Sequence, residues 1–133
     1  AFYSPRWNQG ELREKGAISQ TDIMPSVLAY LGYSKPYFAF GEDALTKNKQ
    51  HPYAVCYNHP VYQLITDSLL LQFDGKDICS VYDYITDPTL QRNIASEPDT
   101  EALAMYLRAY IQQYIYRLTT NQLTVDNNGS ESR

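Results

Sequence analysis

The chain has 133 residues, of which 44% are hydrophobic and 20% are charged, a balance typical of a folded domain. That length is enough for one domain with a buried core. The net charge of −4 and the absence of a Lys/Arg cluster argue against a nucleic-acid partner, because phosphate contacts need clustered cations. The longest apolar stretches, around 27–31 and 69–71, are too short to span a membrane.

The first residues predict a strand, Phe2-Tyr3-Ser4-Pro5, followed by a polar loop. They contain neither an initial methionine nor a signal peptide, so we expect a fragment of a longer polypeptide. A short helix follows, with Thr21 or Asp22 as its N-cap, Pro25 in its first turn and Gly32 in the left-handed position after its end. Its predicted apolar face contains Ile23, Val27, Leu28 and Leu31.

The middle of the chain predicts a four-stranded antiparallel meander, because its extended segments are joined by short turns such as Asp74-Gly75-Lys76. The predicted strands are Tyr53–Tyr57, Tyr62–Thr66, Leu69–Phe73 and Ile78–Tyr82. Residues 33–51 lack a period and predict a loop that packs aromatic side chains. After Asp87-Pro88, residues 89–95 predict a helical turn.

The longest periodic segment follows Pro98-Asp99 and predicts a helix of about five turns. Its apolar positions recur at steps of three and four residues, which describes one broad stripe that we expect to lie across the meander. The stripe contains Leu103, Tyr106, Leu107, Tyr110, Ile111, Tyr114, Ile115 and Leu118. The polar residues 126–133 predict a disordered tail. The fold class is therefore α+β.

The residues themselves indicate no active site and no metal site. His51 and His59 lack the spacing of a helical metal pair and stand beside no acidic cluster. Cys56 and Cys79 fit neither a CxxC pattern nor a disulfide framework, so we expect two reduced thiols buried in strands. Capping and Asx turns account for four acidic residues: Asp22, Asp43, Asp83 and Asp87.

Three motifs resemble segments of sulfatases and lipoteichoic-acid-synthase-like phosphoglycerol transferases. The first is Ser19-Gln20-Thr21-Asp22-Ile23-Met24-Pro25-Ser26, which closes at Leu31-Gly32. The second is Phe40-Gly41-Glu42-Asp43-Ala44-Leu45. The third is Val81-Tyr82-Asp83-Tyr84-Ile85-Thr86-Asp87-Pro88, followed by Asn93-Ile94-Ala95. The sequence departs from the family at Ser26, Ala44 and Leu90, where the relatives usually carry Thr, Leu and Glu.

The resemblance implies an alkaline-phosphatase-like α/β parent whose nucleophile and divalent metal ligands (for Mn, Mg or Ca) precede Ala1. Residues 1–50 would then end the catalytic core, 51–125 would form a C-terminal antiparallel subdomain with the final helix, and 126–133 would be the tail. The chain itself would have no catalytic residue and no cofactor. The partner would be the N-terminal catalytic part, outside the cytoplasm, with membrane contact only through an anchor of the parent.

Within this chain, the hairpin turn at Asn58 and His59 is the predicted substrate-binding loop, because it ends a strand and carries amide and imidazole donors. Two alternatives stay open. The 13 tyrosines allow a stand-alone carbohydrate-binding module, since tyrosine combines an apolar ring with a polar tip. The tyrosine-rich final helix also allows a module that forms a homodimer.

Overall fold

A computed structural model of the chain describes residues 16–46, 53–97 and 100–125. In chain order, the elements are a 3₁₀ turn (Gln20–Asp22), helix α1 (Ile23–Tyr30), strands β1 (Ala54–Asn58), β2 (Val61–Ile65), β3 (Leu69–Phe73) and β4 (Ile78–Asp83), and helix α2 (Thr100–Thr119). The predicted first strand, His51 and the predicted tail lie outside the described residues. In the described ranges, no helix is both long enough and apolar enough to cross a membrane.

The four strands form one antiparallel sheet in the order β1-β2-β3-β4, which confirms the predicted meander. Strand β3 has the predicted bounds, β1 and β2 are each shifted from the prediction by one residue, and β4 begins as predicted but ends one residue later. The turn between β3 and β4 is held by Asp74, whose Oδ1 accepts the backbone N–H groups of Lys76 and Asp77 at 2.8 Å. Gly75 adopts a φ of 102°, which residues with a side chain rarely take.

The core lies between the sheet and the first half of α2. Leu64, Leu71 and Val81 are cross-strand neighbours on β2, β3 and β4, and all three are fully buried. Ala104 and Leu107 of α2 pack against this row and are equally buried. Complete burial of each leucine contributes about 1.5–3 kcal/mol, so this layer supplies much of the stabilisation of the sheet and α2.

Helix α2 confirms the predicted long helix, but its stripe is only partly covered. The half near Thr100 packs against the sheet, whereas Tyr114, Ile115 and Leu118 are 45%, 48% and 52% exposed. These residues continue the buried stripe toward the C-terminal end of the helix, beyond the part that packs in the core. The apolar pattern therefore predicted a helix correctly, but it did not show where contact with the sheet ends.

The caps of α1 differ in part from the prediction. Asp22 occupies the N-cap position of α1, as predicted, but its side chain makes no capping hydrogen bond to that helix. Ser19 instead caps the leading 3₁₀ turn, and its side chain forms a capping box with Asp22. At the other end, Gly32 has a φ of 69° and donates its N–H to Ala29, as predicted for the position after the helix. The sequence alone does not show which of these residues makes the capping hydrogen bond, because Ser, Thr and Asp are all good N-cap residues.

The face of α1 that packs on described residues is not the apolar face predicted from its periodicity. Pro25 and Ser26 are buried, whereas Ile23, Val27 and Leu31 are 51%, 41% and 70% exposed. The buried face combines the apolar ring of Pro25 with Ser26, whose hydroxyl binds the following segment by a hydrogen bond. Leu28, the fourth residue of the predicted apolar face, is half-buried, so the described residues cover only a part of that face.

The predicted helical turn at 89–95 is wrong. Leu90 has a φ of 54°, and the carboxylate of Asp87 accepts the backbone N–H groups of Gln91 and Arg92 at 2.6 and 2.7 Å. A side chain that binds nearby N–H groups removes the donors that a helix would use. The segment instead runs along the edge of β4, where Ile94 donates its N–H to the carbonyl of Val81.

Candidate functional site

The predicted substrate-binding loop is an exposed hairpin turn. Asn58 is the last residue of β1, and His59 begins the turn to β2; both are exposed. The adjacent Tyr57 is 57% exposed, and its ring packs on Tyr62 with a centroid distance of 4.8 Å and meets the His59 ring edge-on at 6.1 Å. The loop thus presents to solvent an amide, an imidazole and the Tyr57 ring, which is supported by Tyr62.

The first two sequence motifs meet in space through the carboxylate of Asp22. Its Oδ2 accepts the backbone N–H of Ser19, and its Oδ1 accepts the backbone N–H of Glu42, both at 2.9 Å. Asp22 is only 5% exposed. Because hydrogen bonds to a charged acceptor are stronger than neutral ones, this carboxylate firmly joins the start of α1 to a segment twenty residues later.

Ser26 and Gly41 complete the joint between these motifs. The Ser26 hydroxyl donates to the carbonyl of Asp22 at 2.6 Å and accepts the N–H of Ala44 at 2.8 Å. A Cβ on Gly41 would lie 2.3 Å from the carbonyl carbon and oxygen of Thr21, so only glycine fits this approach. We call this set of contacts the motif joint. Its residues hold the backbone, which explains their spacing without a catalytic role.

The acidic side chains of the third motif also accept hydrogen bonds from backbone N–H groups. Asp83 accepts the N–H groups of Ile85 and Thr86, and the N–H of Thr86 contributes most to lowering the pKa of Asp83. The pKa of Asp87 is likewise lowered, chiefly by the N–H of Arg92.

Asn93, which follows the third motif, also binds backbone N–H groups. Its Oδ1 accepts the N–H groups of Val81 and Ala95 at 3.0 Å, which fixes the loop after β4 on the strand edge. The predicted Asx-type roles are thus found at Asp83 and Asp87, as they are at Asp43, whose Oδ1 accepts the N–H of Leu45.

The predicted burial of the two cysteines is wrong. Cys56 and Cys79 are both unpaired, as expected, but both are exposed. Cys56 lies opposite Gln63 on the sheet face that alternates with the core row, and its Sγ is 3.5 Å from the Gln63 side-chain oxygen. The apolar neighbours of Cys56 suggested a buried strand, but alternation turned this residue outward.

Sequence reasoning missed a groove between residues 38–42 and α2. Its aromatic wall contains Phe38, Phe40 and Tyr110, with 5.0 Å between the two phenylalanine rings and 5.4 Å between Phe40 and Tyr110. Burial raises the pKa of Tyr110, which lines both this groove and a smaller adjoining cavity. The aromatic content of the loop was the available signal, but sequence alone did not show what the loop packs against.

The described residues do not supply a metal site. In ranges 16–46, 53–97 and 100–125, no group of three or more His, Cys, Asp or Glu side chains is placed to hold an ion. The carboxylates of the motifs bind backbone N–H groups instead, as described above. The resemblance places the implied metal ligands before Ala1, outside this chain.

Comparison with known proteins gives one structural likeness. A proposed sulfatase from Bacteroides thetaiotaomicron VPI-5482 aligns with 79% of this chain at 21% identity and a TM-score of 0.44. This chain covers 26% of the length of that protein. At that TM-score, the likeness assigns neither a fold nor an activity. No protein-family model and no curated protein matches the sequence.

Proposed function

We propose that this chain is the non-catalytic C-terminal portion of a sulfatase-like or phosphoglycerol-transferase-like enzyme that acts on sulfate or phosphate esters. The observation that carries the proposal is the motif joint. The first two motifs were recognised by residue type and order, and Asp22, Ser26 and Gly41 each have a specific structural role in joining them. If the two motifs resembled the family only by chance, there would be no reason for their residues to contact one another in the fold.

The exposed apolar face of α1 supports a covering partner in the same polypeptide. Ile23, Val27 and Leu31 are at least 41% exposed, and they lie on the helix that carries the first motif. The resemblance implies that this helix packs on the sheet of the catalytic part. Burying these three side chains would contribute roughly 25 cal/mol for each Å² of apolar surface removed from water, which favours stable docking.

In this proposal the chain supports the enzyme and leaves the chemistry to the catalytic part. The parent would carry the nucleophile and a divalent metal, which stabilises charge on the transferred sulfuryl or phosphoryl group. Here the motif joint would hold α1 in position to pack on the catalytic part, and the meander would hold the 57–60 turn at the rim of the substrate pocket. Asn58 and His59 would donate hydrogen bonds to the substrate there. The parent would act outside the cytoplasm.

The test has two stages. The coding sequence before Ala1 is determined, and the proposal expects the reading frame to continue upstream through an Asp-His-Gly-type metal segment. The longer protein is then assayed with aryl sulfate, aryl phosphate and phosphoglycerol substrates in the presence of Mn²⁺, Mg²⁺ or Ca²⁺. A start codon directly before Ala1, or a longer protein that turns over none of these esters, would contradict the proposal.

A second candidate is a homodimer formed through α2, and the exposed end of its stripe favours it. Tyr114, Ile115 and Leu118 present an apolar surface that association would cover. Light scattering measures the mass of the wild-type chain and of Leu118→Asp, and it tests whether a dimer forms through α2. A dimer that dissociates in the variant supports this candidate, whereas a wild-type monomer excludes it.

A further inference from the structure

We draw no further inference here: the strongest candidate, the edge of strand β1 that faces away from β2, on a strand whose Cys56, Tyr57 and Asn58 are exposed, carries nothing because nothing in the described residues shows what would pair with it.

Discussion

Replacing Gly41 with alanine should open the motif joint. The added Cβ would lie 2.3 Å from the carbonyl atoms of Thr21 and 2.5 Å from the backbone nitrogen of Asp22. These are backbone atoms, so the two segments must separate. Separation lengthens the hydrogen bonds that Glu42 and Ala44 donate, the first to a carboxylate and the second to a buried hydroxyl. Losing both should cost about 2–4 kcal/mol.

Amide hydrogen exchange of the wild type and the variant measures this effect locally, and urea unfolding followed by circular dichroism measures it globally. Exchange should accelerate most at the Glu42 and Ala44 amides. Gly32→Ala is the control, because Gly32 has a φ of 69° with no atom within 4 Å of the added carbon. It should cost about 1 kcal/mol from backbone strain alone, without faster exchange at Glu42. Equal stability of Gly41→Ala and wild type would refute the steric argument.

Three further predictions follow from the fold and the site. Leu107→Ala should destabilise the chain by about 2–5 kcal/mol, whereas Leu118→Ala, at a site 52% exposed, should change stability little in urea unfolding; a near-zero effect of the first would place the core elsewhere. The folded-state pKa of Asp87 lies below its ordinary value of 3.8, so the stabilisation from its carboxylate is present above that pH and is lost as the pH falls through the folded pKa. In Asp87→Asn, the urea midpoint should therefore fall less steeply as the pH is lowered than it does in the wild type. An unchanged pH dependence of the midpoint at acid pH would contradict this. The isolated chain should turn over neither aryl sulfates nor aryl phosphates with Mn²⁺, Mg²⁺ or Ca²⁺, and turnover abolished by a mutation within the chain would disprove that prediction.

The regular elements could be predicted because their signals are local. The strand ends and the long helix follow from alternation, from the Asp74-Gly75 turn and from three- and four-residue steps between Leu103 and Leu118. The Schellman-type end of α1 at Gly32 is also local. These features need only nearby residues, so the sequence displays them directly.

What the sequence could not show is which surfaces meet. Ser26 stands in the first motif, but nothing in the sequence shows that its hydroxyl binds a backbone N–H eighteen residues away. Leu90 sits in a stretch that suggested a helical turn, but the side-chain contacts of Asp87 redirected it. The groove depends on the same long-range joint. Its aromatic residues could be seen in the sequence, but their common wall could not.

The central claim is that α1 presents a surface made to be covered by the rest of a longer protein. Light scattering combined with hydrogen exchange on the 133-residue chain tests it most directly, because the two methods report association and protection of α1 in the same sample. We expect either weak protection of the α1 amides in a monomer or protection that accompanies association. A strictly monomeric chain with strongly protected amides across Ile23–Tyr30 would show a self-sufficient domain and contradict the account.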